Sequence, residues 1–232
     1  MGSVIVSLVP LIIGSAVVPV QIIIDILLLK SPKQGLLKAL AYVGGMTTMR
    51  LLQGLIFGLI LTRGASATAG ESSGKGPVVS TLLLVLGIFF LITAYKQWRK
   101  DDDPDAPPPK WLAMVDSLTP LKAFGIGFGL MLIGAKFWVF TLTALAVIGE
   151  AQLGQPTSTL TYLLFMLLAE SLLLLPILIR IVVPAKSKSL LEATSAWLTR
   201  YNRPIVIVVS LVFGLLFLYQ GASGLLQLGG IS

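Results

Sequence analysis

Six stretches of this chain are built almost wholly from apolar residues, and most of the charge is held between them. They cover residues 3–29, 37–62, 78–95, 121–149, 159–183 and 204–228. A helix that crosses a bilayer needs about 20 apolar residues. In hydrocarbon only helices and closed barrels satisfy their own backbone hydrogen bonds. The apolar–polar alternation of a barrel strand is missing here. The pattern therefore predicts an all-α integral membrane protein with six transmembrane helices in a single domain, 1–232.

Composition supports that class. Apolar residues make up 56% of the chain, charged residues 12%, and mean hydropathy is +0.94. Soluble domains carry about 25% charged residues. No cysteine and no histidine is present, which removes disulfides, thiolate metal sites and the commonest proton shuttle. No cofactor is expected. Net charge is +7, which in a soluble protein would suggest nucleic acid. Here the cations lie in the short connections between apolar stretches, so a nucleic-acid partner is not expected. The first stretch has no basic residue before it and exceeds the core of a signal peptide, so it reads as a retained span.

The connections also set orientation. Thirteen cations fall on one side of the six spans, at Lys30, Lys33 and Lys38, at Lys96, Arg99, Lys100, Lys110 and Lys122, and at Arg180, Lys186, Lys188, Arg200 and Arg203. Only Arg63 and Lys75 fall on the other. The positive-inside rule puts the thirteen in the cytoplasm and both termini outside. Residues 96–120 form a cytoplasmic linker whose acidic, proline-rich part, 101–109, cannot be helical. Trp111, after Lys110, and Trp197 read as interfacial anchors. Ser189 and Glu192 have the spacing of a capping box, which predicts a separate helix there, lying on the membrane surface with Leu190, Trp197 and Tyr201 along it.

Three spans per half give the two halves opposite orientations, the arithmetic of a 3+3 inverted repeat. A short internal match accompanies it. Tyr42, Met46 and Arg50 in the second span have the spacing of Tyr162, Met166 and Glu170 in the fifth.

Four ionisable residues remain inside spans: Asp25, Arg50, Lys136 and Glu170. Each costs at least ~2.5 kcal/mol at the bilayer centre if unpaired. The repeat favours Arg50 with Glu170, which leaves Asp25 for Lys136. Gly14, Gln21 and Asp25 share one face of the first span, and Thr47, Arg50 and Gln53 one face of the second. The ions serve either as a midplane site for substrate or coupling ion, or as buried bridges that fix helix register. Pro19, with Pro10 before it, and Gly134, just ahead of Lys136, are candidate helix breaks, either exposing backbone dipoles to a ligand or kinking for packing. Gly125, Gly127 and Gly129 lack the strand and lysine of a phosphate loop, so close helix packing is expected there, as at Gly54 and Gly58.

Several short motifs carry a resemblance. Val18-Pro19-Val20-Gln21, the apolar run 22–29 and Ser31-Pro32 open the chain. Gly44-Gly45 lies in the second span. Pro109-Lys110-Trp111-Leu112, Asp116, Leu118-Thr119-Pro120 and Ala123-Phe124-Gly125 precede and open the fourth, and Trp197-Leu198 with Asn202 precedes the sixth. Together they resemble the glycopeptidolipid- and sulfolipid-addressing proteins of the lysine exporter superfamily. The sequence departs from that pattern at Gln21, where a second proline is frequent, and at Gly134-Ala135-Lys136, where Asn-Pro-Lys is usual. The resemblance implies a six-span export factor or transporter of a bacterial plasma membrane, handling envelope glycolipids in some relatives.

No nucleotide-binding motif is present, so an ion gradient or an envelope-export partner protein would supply the driving force. The leading expectation is alternating access around Gln21, Asp25, Arg50, Lys136 and Glu170, for a lipid or a small amphipathic solute. An anionic headgroup would seek Arg50 and Lys136, and a cation Asp25 and Glu170. A small-solute or cation exporter and a non-transporting assembly subunit are the alternatives. An enzyme is not expected, since neither a GxSxG nor an HExxH pattern occurs. Membrane lipids are the expected partners, and the glycine faces permit a homodimer.

Overall fold

The computed structural model describes residues 2–68, 76–100 and 117–228, with side chains described except at 59–68 and 228. These residues form nine helices and no strand. They are α1 (Gly2–Ala16), α2 (Pro19–Lys30), α3 (Gly35–Thr68), α4 (Pro77–Arg99), α5 (Pro120–Ile133), α6 (Ala135–Glu150), α7 (Thr157–Ala169), α8 (Ser171–Val182) and α9 (Pro184–Leu228). Proline supplies the first residue of α2, α4, α5 and α9, where its missing N–H has no helical partner to lose.

α4 and α9 are each long and apolar enough to cross a membrane alone. Three further spans arise if each bent pair counts as one: α1 with α2, bent by 57°, α5 with α6, bent by 71°, and α7 with α8, bent by 65°. The outward surface agrees with a lipid setting. Leu55, Val212 and Tyr219 are 67%, 57% and 74% exposed, a cost that water would not tolerate over a whole surface. The chain is thus a helical membrane protein.

The breaks follow local chemistry. Val18 lies outside the helix at φ −134°, as expected for a residue ahead of proline, and α2 starts afresh at Pro19. Gly134 separates α5 from α6 at φ −72° and ψ 97°, although the usual Asn-Pro is absent. Pro10 stays within α1 without ending it. The third break, at Glu170, was not foreseen; its φ of −101° and ψ of 1° end α7 and start α8.

Two expectations need correction. The linker is shorter than 96–120, because α4 continues to Arg99 and α5 begins at Pro120. Trp111 and the acidic segment 101–109 lie outside the described residues. The surface helix at Ser189 does not exist as a separate element. α9 runs unbroken for 45 residues from Pro184, with Pro204 inside it. The Ser189 hydroxyl donates to the Lys186 carbonyl, and Glu192 pairs with Lys30 at 3.6 Å, so neither caps a helix start. The face bearing Leu190, Trp197 and Tyr201 is exposed, while Leu191 and Leu198 on the other side are buried.

α4 and α9 pack antiparallel. Gly214 meets Leu91, Gly87 meets the Leu218 backbone, and Gly221 meets Ser80 and Leu84. Small residues let the two backbones close without side chains between them. Arg203 seals one end by donating to the carbonyls of Gln97 and Trp98, at 3.1 and 2.9 Å. A cation on those terminal carbonyls also complements the helix dipole of α4. Phe90, Phe140, Phe213 and Phe217 form a ring cluster beside this seam.

Candidate functional site

The site grows from one face of α3. Thr47 and Arg50 are three residues apart and share that face. Arg50 is 1% exposed, and its Nε lies 3.7 Å from Oε1 of Glu170 at the α7–α8 junction. The Thr47 hydroxyl donates to the other carboxylate oxygen at 2.6 Å. Nη2 of Arg50 donates to the Ser15 hydroxyl near the end of α1, at 3.1 Å. The guanidinium also stands 5.7 Å from the Phe165 ring centroid. Tyr162, two turns before Glu170, donates its hydroxyl to the Arg50 carbonyl at 2.6 Å. Gly54 makes room for it, since a Cβ there would collide with the phenol.

Three spans therefore meet at one ion pair, and one of them is interrupted at the pairing residue. The pair is underfilled. At 3.7 Å its charges attract, but Nε and Nη1 of Arg50 and Oε1 of Glu170 make no hydrogen bond. Neither does the amide of Gln53, 1% exposed and one turn further along α3. Each such buried group costs about 1–3 kcal/mol. A bridge meant only to fix register would gain by filling them. Tyr162→Phe should test how tightly the frame is held. It removes one buried hydrogen bond, worth about 1 kcal/mol, and is expected to lower the midpoint of detergent unfolding without disrupting assembly. An unchanged midpoint would mean that the bond does not hold α7 to α3.

The other expected site residues separate into two places. Pro19, Gln21 and Lys136 line a cavity of about 300 Å³ between the α1–α2 break, α4, α6 and α9. Asp25 is elsewhere. It is 0% exposed, and both carboxylate oxygens lack a partner. It packs among Ile22, Ile26 and Leu29, and Tyr42 on α3 lies within its electrostatic reach. The Tyr42 hydroxyl also has no hydrogen-bond partner. The expected Asp25–Lys136 pair is not formed. Lys136 reaches the level of Gln21, whereas Asp25 lies four residues, about 6 Å, further along α2. Gly14 shares no polar face with these residues; it faces Phe140 and Phe213. Trp197 is 54% exposed beside Tyr201.

Three site residues were not selected as such in the sequence. Thr47 was visible in the stripe with Arg50, and Tyr162 in the internal match. Ser15 is a lone hydroxyl in an apolar span and gives no periodic signal. A second cavity, of about 280 Å³, is walled by Leu51, Gly54, Leu145 and Tyr162, so it begins beside the ion pair. Among the described residues no cluster of acidic side chains could hold a metal ion.

The family model described as Sap, sulfolipid-1-addressing protein, matches residues 8–223. Neither the curated proteins nor the solved structures contain a match to the chain.

Proposed function

The chain belongs to the sulfolipid-1-addressing protein family, and on that premise we propose that it is a plasma-membrane export factor for an envelope lipid or small amphipathic solute. It works by alternating access around Arg50 and Glu170. The observation that carries this reading is the buried, underfilled ion pair seated on a break in a span. A site that must open needs polar groups not already committed to each other, and an interrupted helix supplies the joint.

Counting α3, 34 residues long, with the three bent pairs, α4 and α9 gives six spans. A 3+3 inverted repeat makes α1–α2 the counterpart of α5–α6, and both are broken. It makes α4 the counterpart of α9, and these pack antiparallel. It makes Arg50 the counterpart of Glu170. Two equivalent positions touch each other only near the axis that relates them, so their pairing supports an axis through the site. The cation count supports both termini outside. Membership of the lysine exporter superfamily is part of the same reading.

Asp25 favours a second reading, coupling to an ion. A carboxylate with both oxygens unmatched in an apolar cluster is a candidate carrier of a proton or small cation, as a small-solute exporter would need.

The test is a lipid inventory of cell surface against cell interior, in a deletion strain complemented with wild type, Glu170→Gln or Arg50→Gln. Surface loss of one lipid in the deletion and in both variants is the expected result. An unchanged inventory removes lipid export, and solute flux into liposomes, compared with Asp25→Asn, then decides between the exporter and the assembly subunit.

A further inference from the structure

Among the described residues Lys136 has no acidic side chain within ion-pair range. Its ammonium lies 5.2 Å from the ring centroid of its own neighbour Phe137, and a ring face attracts a cation without neutralising it. Arg50, the other intramembrane cation in electrostatic reach, adds charge of the same sign. Lys136 is also the second residue of α6, whose first turn holds no acid and whose N-terminus has no side-chain cap. Helix N-termini are positive, so side chain and backbone reinforce each other.

The cavity beside it is furnished for an anion. Gln21 offers an amide, and Ser210, only 2% exposed, lines the same space. No carboxylate lines the cavity. Around these polar groups the walls are apolar, with Val17, Phe89, Val206 and Val209. The cavity is partly open and holds about 300 Å³, which suits a headgroup and the start of a chain rather than a whole lipid.

We infer that this cavity is an anion-headgroup subsite, in which a sulfate, phosphate or carboxylate pairs with Lys136 and accepts hydrogen bonds from Gln21 and Ser210. The inference rests on the export reading for its role, but the anion pairing stands on the cavity alone. An unpaired ammonium in a membrane domain is stabilised most by the charge it lacks. The site lies apart from the Arg50–Glu170 pair, so headgroup capture and the moving joint are carried by different residues.

The test uses the full chain in phosphatidylcholine nanodiscs. Binding is titrated with a fluorescent single-chain phosphate monoester and with its phosphocholine counterpart. Wild type is expected to prefer the phosphate monoester, and Lys136→Met to lose about tenfold or more in affinity. Lys136→Arg should keep the preference and Ser210→Ala lose part of it. Lys122→Met, an exposed cation on α5, should leave binding unchanged. Equal affinity of wild type and Lys136→Met in monodisperse samples would overturn the subsite, and so would equal binding of both probes. Inorganic phosphate and sulfate are titrated as competitors. If they displace the probe in a Lys136-dependent way, and removing its chain costs no affinity, the site binds free anions and lipid export falls while the anion site stands. If Lys136→Met binds normally but the surface lipid is lost with Glu170→Gln, the subsite falls and export stands.

Discussion

Glu170→Gln and Arg50→Gln are each expected to destabilise the folded protein by about 3–5 kcal/mol, because each strands a buried charge. Both partners are almost fully excluded from the surface, at 3% and 1% exposure, so little screening softens the loss. In Glu170→Gln the amide keeps a contact with Thr47, but the guanidinium loses its only opposite charge among the described residues. The double variant Arg50→Met with Glu170→Met should behave differently. Two apolar side chains of similar length remove the stranded charge and the unfilled hydrogen-bonding groups together. Such replacements are often neutral or stabilising. The expected result is a double variant that assembles and unfolds like wild type in detergent titrations yet exports nothing. That combination separates a working ion pair from a scaffold. If the double variant restores export together with stability, the pair only holds helices in register, and the assembly-subunit reading takes its place.

How this pair could be found in the sequence has a physical basis. A charge in an apolar stretch is costly, so it is conspicuous, and the repeat spacing of Tyr42-Met46-Arg50 against Tyr162-Met166-Glu170 nominated its partner. What the sequence does not carry is rotation across a helix break. Gln21 and Asp25 are one turn apart on α2, and an unbroken first span would aim both, with Gly14, at one neighbour. The 57° bend sends Gly14 against Phe140 and leaves α2 on its own axis. Asp25 then meets the α3 side and Gln21 the cavity of Lys136. Pairing by elimination failed because Lys136 reaches the level of Gln21, one turn short of Asp25.

The fold shows the same division. Breaks at Pro19 and Gly134 were legible, since proline excludes the residue before it from the helix and glycine is the weakest ordinary helix former. The break at Glu170 had no such residue. It lies in Leu168-Ala169-Glu170-Ser171-Leu172, which holds neither proline nor glycine, and the residue at the junction is the one that meets Arg50 and Thr47. The opposite error occurred in α9. Ser189-Leu-Leu-Glu192 reads as a helix start, but the chain is already helical from Pro184, and a capping box inside a helix has no orphan donors to satisfy.

Gly127→Ala is expected to cost about 3 kcal/mol of stability, while Gly125→Ala and Gly129→Ala, in the same glycine run, should cost nothing. The difference lies in what a new methyl group would meet. At Gly127 it would strike the Tyr42 carbonyl of α3, and at Gly45 the Phe124 carbonyl of α5, so the two helices cross backbone to backbone. Backbone atoms cannot rotate aside as a side chain can, so the helices must separate, and overpacking of this kind reaches the upper end of its usual range. Around Gly125 and Gly129 nothing lies within 4 Å. There the only effect is on helix propensity, which favours alanine by up to about 1 kcal/mol. The crossing sits above the site, because Tyr42, Gly45 and Arg50 belong to one helix. Pushing α5 from α3 would therefore also move Arg50 relative to Glu170, and Gly127→Ala should lower export in step with stability. Detergent-unfolding titrations of the three single variants check the first statement. Equal stability of Gly127→Ala and Gly129→Ala would mean that α3 and α5 do not close at this point, and that the distance between Arg50 and the α5–α6 break is set by something else.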